Sequence, residues 1–229
     1  MLVHGSMDRS AAFARVVGDL RDLHTVRYDR RGYGRSTGLG APDLPGHTDD
    51  LLAVIGDRPA VVVGHSIGGV IALMAAQRAP EVVRAVGAYE PPMPWVDWWP
   101  RRSAGAVAWE ANDPADAAEA FLRRMIGDDR WQGLPAGTRA DRRAEGVALL
   151  AELASARSQP AYDLHSITVP VRIARGTAGA EHHREATRTL SDVLGSEPFL
   201  IEGAQHGGHV SHHAEFAAFV RSVVDAARA

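Results

Sequence analysis

The sequence contains no cysteine and no lysine, and all 25 of its basic residues are arginine. A chain without cysteine forms no disulfide and has no thiol nucleophile. A chain without lysine has neither Schiff-base chemistry nor the lysine of a phosphate-binding loop. These absences exclude thiol enzymes, Schiff-base enzymes and P-loop nucleotide hydrolases.

Long hydrophobic runs and one-sided charge are also missing. No apolar run approaches the roughly 18 residues that suggest a membrane-spanning helix, and the N-terminus has no basic segment followed by a long apolar stretch. The net charge of −3 is spread along the 229 residues without a basic stripe. We expect one cytoplasmic domain that acts on a small molecule, with no nucleic-acid or membrane partner.

Short apolar runs alternate with amphipathic segments over most of the chain, which predicts an α/β fold with a mostly parallel sheet of about six strands and helices on both faces. The predicted strands are Met1–Val3, Thr25–Tyr28, Ala60–Val63, Val82–Tyr89, Val169–Ala174 and Pro198–Ile201. The predicted helices of this core are Arg9–Asp22, Asp49–Ile55, Ile67–Arg78, Arg184–Leu194 and Ala214–Arg228.

The alternation stops between Pro91 and His165, where the pattern predicts a helical insertion. Ala115–Ile126 and Arg142–Ala156 are its clearest predicted helices. All five tryptophans lie within it, and two interpretations of them stay open: core anchors of a small subdomain, or the lining of a substrate pocket. They are Trp95, Trp98, Trp99, Trp109 and Trp131.

The segment Gly-His-Ser-Ile-Gly, residues 64–68, stands between a predicted buried strand and a predicted helix. In a strand, sharp turn and helix of this kind, Gly-x-Ser-x-Gly exposes the serine hydroxyl, and glycine two positions before and after it avoids a collision. Dinucleotide and phosphate-loop patterns have other spacings. Ser66 is therefore the candidate nucleophile, and His65 is a candidate pocket residue.

Two backbone N–H groups are candidates for an oxyanion hole, the pair of donors that stabilises negative charge on a reacting carbonyl oxygen. Ile67 begins the helix behind Ser66, where a free N–H and the positive end of the helix dipole are expected. The second donor is expected from His4-Gly5-Ser6, directly after the first strand. Ser6 is the first choice there and Met7 the second.

A histidine-rich stretch follows the last predicted strand. His206 comes first, at the carboxyl edge of the sheet where Ser66 also emerges, and the chain order fits a serine nucleophile with a histidine base. His209 is the alternative base. A metal chelate of His206, His209, His212 and His213 is a further alternative that no local carboxylate pattern supports, and His212 and His213 are expected to be solvated.

Four segments in this order resemble the α/β-hydrolase superfamily: His4-Gly5-Ser6, Tyr28 to Ser36, Gly64 to Gly69, and Gly203-Ala204-Gln205-His206. The resemblance implies Ser66 as nucleophile, His206 as base, and the backbone of Ser6 and Ile67 as oxyanion hole. It also implies a hydrolase core of residues 1–90 and 166–229, a helical cap of residues 91–165, and a buried, paired carboxylate at Asp29.

The sequence departs from this superfamily at its start and at the acid that orients the histidine. Edge strands that normally precede the His-Gly strand are absent, so we expect the natural chain to begin upstream of Met1. The superfamily usually places the acid after the strand Val169–Ala174, but Gly179 stands there and Glu181 comes two residues later.

Glu90 is the preferred acid, because it ends the strand that follows the Ser66 helix, a position similar to that used by haloalkane dehalogenases. The alternatives are an ion pair of Glu90 with Arg101 or Arg102, and an acid at Glu181, Asp163 or Asp192.

The sequence therefore predicts a cofactor-independent serine hydrolase that acts on a carboxylic ester or related acyl compound through Ser66, His206 and Glu90, with no metal. Trp95, Trp98 and Trp99 are candidate pocket residues beside His65. A C–C bond hydrolase, lactonase or perhydrolase would use the same residues, and a binding protein without turnover is the alternative from another class.

Overall fold

A parallel five-stranded sheet forms the centre of the computed structural model, which describes residues 1–229. Each strand pairs with its sequence neighbours, so the spatial order equals the chain order. The strands are β1 (Leu2–Val3), β2 (Ala60–His65), β3 (Val83–Tyr89), β4 (Val171–Gly176) and β5 (Phe199–Ile201). Because all pairs are parallel, the carboxyl ends of the strands meet at one edge.

Helices fill the crossovers between these strands. The α-helices of the core are α1 (Ala14–Asp19), α2 (Leu44–Ile55), α3 (Ile67–Arg78), α9 (Glu181–Leu194), α10 (Gly208–Ser211) and α11 (His213–Ala226). Five more lie between β3 and β4: α4 (Ala104–Trp109), α5 (Pro114–Ile126), α6 (Asp128–Gly133), α7 (Ala136–Ala144) and α8 (Gly146–Ser158). Short 3₁₀ turns span Ser10–Phe13, Gly34–Leu39 and Leu164–Ser166.

Apolar side chains bury both faces of the sheet, as expected for parallel strands. On one face, α2, α3 and α9 pack against residues such as Val62 and Val86. On the other face, α1 and α11 pack against Val63 and Ala85. This layer arrangement confirms the predicted α/β fold with helices on both faces.

The predicted strand Thr25–Tyr28 is wrong, since this segment contributes only a single parallel bridge between Arg27 and Leu2. Its neighbour β1 is two residues long, so few ladder hydrogen bonds are available; one of them runs from Leu2 N–H to the Val26 carbonyl at 2.8 Å. The sheet therefore has five strands rather than six.

Two predicted helices are divided in the structure. Arg9–Asp22 becomes the 3₁₀ turn Ser10–Phe13 followed by α1. Arg142–Ala156 is interrupted at Glu145, whose carboxylate is fully buried and receives hydrogen bonds from Arg9 and Arg142. The break lets α8 approach α5 closely: a Cβ on Gly146 would lie 1.7 Å from the Pro114 carbonyl oxygen.

The segment between β3 and β4 has its own apolar cluster, formed by side chains of α5, α6 and α8 and joined by Met7 and Tyr33 of the core. Trp131 is fully buried within it, which fits the interpretation of this tryptophan as a core anchor. None of the helices, here or in the core, combines the length and the apolar character that crossing a membrane requires.

Candidate active site

Ser66 lies in a sharp turn between β2 and α3 with a positive φ of 54°. Such a conformation is rare for a residue with a Cβ atom, and backbone strain of this kind clusters at functional sites. The chain crosses itself here so closely that a Cβ on Gly64 would lie 2.1 Å from the Gly68 carbonyl oxygen, and a Cβ on Gly68 would lie 2.2 Å from that of Val3. Both glycines are therefore required by the turn.

The loop after β1 lies directly against this turn. A Cβ on Gly5 would be 3.0 Å from the Cβ of Ser66, so only glycine fits between the two segments. Ser6 and Ile67 both line the cavity into which Ser66 opens, whereas the side chain of Met7 is buried in the apolar cluster of the helical segment. The N–H of Ile67 belongs to the first turn of α3 and has no acceptor within that helix.

Glu90 follows β3 and has its carboxylate fully buried. Its Oε2 lies 2.7 Å from Nδ1 of His206, and its Oε1 accepts a hydrogen bond from the backbone N–H of Gly176 at 3.0 Å. Glu90 itself has a positive φ of 46°, which turns the side chain along the carboxyl edge of the sheet toward β4. Two donors thus hold the carboxylate in one orientation.

The alternative acids lie elsewhere. Glu181 is 78% exposed and pairs with Arg184, and Asp192 is 67% exposed beside Arg188. Asp163 caps the short turn before β4 by accepting the N–H of His165. A Cβ on Gly179 would lie 2.8 Å from Oε1 of Glu90, so the carboxylate of Glu90 occupies the space beside the position where the superfamily usually carries its acid.

The other histidines of the C-terminal stretch do not converge with His206 on a metal site. His209 is buried and its Nε2 lies 2.9 Å from Oδ2 of Asp8. His213 contacts Asp19 at 2.6 Å and His212 contacts Ser211 at 2.8 Å, both near the surface. The chelate of His206, His209, His212 and His213 that the sequence left open is therefore not formed.

Five imidazole rings form a row through the site, which the sequence pattern did not reveal. In the order His182, His183, His206, His65 and His209, consecutive ring centroids lie 4.3, 4.3, 4.7 and 4.1 Å apart. The pair His182-His183 follows β4 and lies in the first turn of α9. This position at the carboxyl edge of the sheet is the one sequence signal for the row.

Burial lowers the pKa of both His65 and His183 well below the ordinary value, and the charges of neighbouring histidines lower each pKa further. Both rings are therefore neutral near pH 7. His65 uses Nε2–H to donate to the backbone carbonyl of His206 at 2.9 Å, so its contact is with the main chain of the candidate base.

A cavity of about 450 Å³ opens above Ser66 and His206. Its lining includes Phe121, Leu153 and other side chains of the helical segment, together with Arg124 and Arg157, and it contains no carboxylate. No hydrogen bond joins Ser66 Oγ to His206.

Of the four residues predicted to line the pocket, only Trp99 does so. His65 is buried beneath His206, Trp95 packs edge-on against Tyr162, and Trp98 is 42% exposed beside Trp99. These three positions are corrections to the predicted pocket: His65 points into the core beneath His206 and His209, and the packing of the helical segment turns Trp95 and Trp98 away from the cavity.

Residues 1–219 match the sequence model of the alpha/beta hydrolase family. The chain belongs to this family. It is therefore a hydrolase, and both the predicted family and the predicted fold class are confirmed.

Two curated relatives of the chain are named for a hydrolytic activity. A 2-(acetamidomethylene)succinate hydrolase of Mesorhizobium japonicum is 27% identical over 90% of this chain and 80% of its own length. The lipase LipV of Mycobacterium tuberculosis is 28% identical over 56% of this chain and 49% of its own length.

Solved structures of the family superpose on nearly the whole chain. An esterase from Thermogutta terrifontis gives a TM-score of 0.75 at 20% identity and covers 100% of this chain and 89% of its own. An E-2-(acetamidomethylene)succinate hydrolase gives 0.66 at 24% identity, covering 98% and 90%. At these identities, the structural likeness shows the fold alone.

Proposed function

We propose that the protein is a cofactor-independent serine hydrolase that cleaves a carboxylic ester or related acyl compound. The observation that carries the proposal is the 2.7 Å contact between Glu90 and His206 at the wall of the cavity that Ser66 also lines. A buried acid bonded to one nitrogen of an imidazole, with the other nitrogen free toward a serine, is the arrangement of a Ser-His-acid triad. Relatives named as a hydrolase and a lipase support a hydrolytic reaction.

In the proposed reaction, Oγ of Ser66 attacks the acyl carbon while Nε2 of His206 takes the hydroxyl proton. Glu90 accepts the hydrogen bond from Nδ1–H, which fixes the tautomer with a free electron pair on Nε2 and stabilises the imidazolium that forms. The N–H groups of Ser6 and Ile67 donate to the oxyanion. His206 then protonates the leaving group, and water, activated by the same ring, releases the acid.

The helical segment of residues 91–165 acts in this proposal as a cap over a core of residues 1–90 and 166–229. It contributes much of the cavity wall, including Phe121, Met125 and Leu153, which excludes water from the reacting groups. Arg124 and Arg157 of the same wall attract an anionic group at the cavity without a competing carboxylate.

Labelling with a fluorophosphonate probe tests the nucleophile directly, because the probe forms a covalent bond only with an activated serine. The wild-type protein should be labelled at Ser66, as located by peptide mass spectrometry, and Ser66→Ala should not be labelled. Absence of labelling in wild-type protein with a normal circular dichroism spectrum would instead support a binding protein without turnover.

Kinetics of Glu90→Gln test the acid. The two oxygens of Glu90 accept from His206 and from Gly176, whereas a carboxamide offers only one acceptor oxygen. Either Gly176 is left facing an amide N–H, or His206 is forced into the wrong tautomer. We expect kcat to fall ~10²-fold or more, in view of the ~10⁴-fold known for such a change in a serine protease.

The matched control for this prediction is Glu181→Gln, which alters an exposed carboxylate on the same edge of the fold and should retain nearly wild-type kcat. A large fall in kcat for Glu181→Gln alone would place the acid at the superfamily's ordinary position and contradict the assignment of Glu90.

A further inference from the structure

The wall of the cavity above Ser66 carries two arginines that have no counter-ion in the protein. Arg124 lies in the last turn of α5 and Arg157 in the last turn of α8, and both line the cavity. Neither forms an ion pair, and no aspartate or glutamate lines the cavity. A position in the last turn offsets the helix dipole and explains each arginine singly. It does not explain why both line one cavity.

Acidic side chains do lie near Arg124, but on the outer surface of the helical segment. Arg124 also borders an outer groove with three carboxylates, which belong to Asp116, Glu119 and Asp128. Each of these carboxylates pairs instead with Arg123 or Arg143, at 2.5–2.7 Å. The positive charge of Arg124 is therefore left without a close partner although acids are present on its own helix.

Both guanidinium groups are held by contacts that leave their charge uncompensated. Nε of Arg124 donates to the backbone carbonyl of Arg102 at 3.3 Å. The guanidinium of Arg157 lies over the face of the Trp109 ring, with its central carbon 5.6 Å from the ring centroid. A carbonyl oxygen and an aromatic face orient a cation without forming an ion pair. Orientation before binding reduces the entropy that an incoming anion would cost.

Arg124 is close to the histidines of the candidate active site. Burial lowers the pKa of His182, and the charge of Arg124 contributes to this shift. His182 lines the cavity, and its ring centroid lies 4.3 Å from that of His183, which in turn stacks on His206. A group bound at Arg124 therefore belongs to the same molecule that reaches His206.

We propose that the substrate carries a carboxylate besides the acyl bond that is cleaved, and that Arg124 and Arg157 bind this carboxylate. The inference rests on the proposed hydrolysis and names its substrate class. A guanidinium presents paired N–H donors that match the two oxygens of a carboxylate. Apolar side chains of the same wall, such as Phe121 and Leu153, contact the hydrocarbon part of the molecule. The carboxylate is not changed in the reaction and serves to hold the acyl carbon at Ser66.

Matched pairs of esters measure this preference. The mono-p-nitrophenyl esters of succinic, adipic and suberic acid carry a terminal carboxylate, and the p-nitrophenyl esters of butanoic, hexanoic and octanoic acid have the same chain lengths without it. After subtraction of enzyme-free hydrolysis, we expect kcat/KM to be at least about 10-fold higher for the charged member of the best pair. Sodium chloride should reduce this ratio, because salt screens exposed charges.

Variants of the two arginines test which residues cause the preference. Arg124→Gln and Arg157→Gln should each reduce the ratio of charged to uncharged kcat/KM at least about 3-fold, and the double variant should remove the preference. Arg124→Lys should reduce the ratio less than Arg124→Gln, because lysine keeps the charge but not the paired donors. The control Arg130→Gln also removes one positive charge from the helical segment, at an exposed position outside the cavity, and should keep the wild-type ratio.

Calorimetry on Ser66→Ala protein gives a readout that needs no turnover. This protein should bind adipate more tightly than adipamide, which has the same chain length and no charge. Adding Arg124→Gln and Arg157→Gln together should remove the difference between the two ligands, while circular dichroism shows that the protein is folded.

Two results would overturn the proposal and leave hydrolysis by Ser66 intact. The first is equal kcat/KM for the two members of every ester pair. The second is a preference for the charged esters that persists in the double variant. A protein that hydrolyses no ester but binds adipate through both arginines would instead retain the carboxylate site and reject the proposed hydrolysis.

Discussion

Replacing Ser66 with alanine should lower kcat by ~10³-fold or more while leaving the fold intact. In the proposed reaction the Oγ of Ser66 is the attacking atom, and the oxyanion donors alone retain a small residual rate. Alanine has the same Cβ as serine, so the substitution does not change the strain of the positive φ at position 66. The measurement is steady-state hydrolysis of a p-nitrophenyl ester panel.

A suitable control for this prediction is Ser211→Ala, which removes an exposed serine hydroxyl outside the cavity and should retain wild-type rates. Wild-type-like turnover by Ser66→Ala, with a circular dichroism spectrum that matches the parent protein, would contradict the assignment of the nucleophile.

The turn around Ser66 could be predicted from the sequence because several local requirements coincide there. A β-branched strand, a glycine on each side of the serine and an uninterrupted helix all lie within 20 residues, and short-range geometry determines each of them. In the structure, the backbone approaches Gly64 and Gly68 so closely that no side chain fits at either position, which is why the pattern requires glycine there.

The contact of Glu90 with His206 could be predicted only indirectly. In the sequence, Gly179 stands where the superfamily usually has its acid, and Glu90 follows β3. That these two positions are close in space depends on the pairing of β3 with β4. In the structure, the Glu90 side chain fills the space next to Gly179. A carboxylate side chain at position 179 would therefore collide with that of Glu90.

The neighbours of His206 could not be predicted, since no local pattern brings them together. His65 ends β2 and His183 lies in the first turn of α9 after β4, and both reach His206 only when the carboxyl ends of parallel strands are aligned. The positions of the tryptophans were undetermined for a related reason. Helical periodicity identifies a buried face but not which partner covers it.

The helical segment is joined to the core by a buried ion pair that no short motif predicts. Arg30, from the loop after Tyr28, and Glu152, from α8, contact each other at 2.9 Å with neither side chain exposed. Arg30 also donates to the backbone carbonyls of His4 and Gly5. The Gly5 carbonyl and the Ser6 N–H belong to one peptide unit, so this pair connects α8 to the proposed oxyanion donor.

Glu152→Ala should therefore lower the free energy of unfolding by about 3–5 kcal/mol, because it leaves the charge of Arg30 buried without a counter-ion. The nearby His47 cannot replace Glu152, because a histidine side chain carries no negative charge; burial and then the charge of Arg30 lower its pKa to about 2 and keep it neutral. Urea unfolding followed by circular dichroism gives the free energy of unfolding from the midpoint and slope.

Glu152→Gln should lower this free energy less than Glu152→Ala does, because the amide oxygen still accepts from Arg30. The control Asp49→Ala breaks an exposed pair with Arg78 and should stay within roughly 1 kcal/mol of wild type. A Glu152→Ala protein as stable as this control would show that water reaches Arg30. The Arg30–Glu152 pair would then not stabilise the packing of α8 on the core.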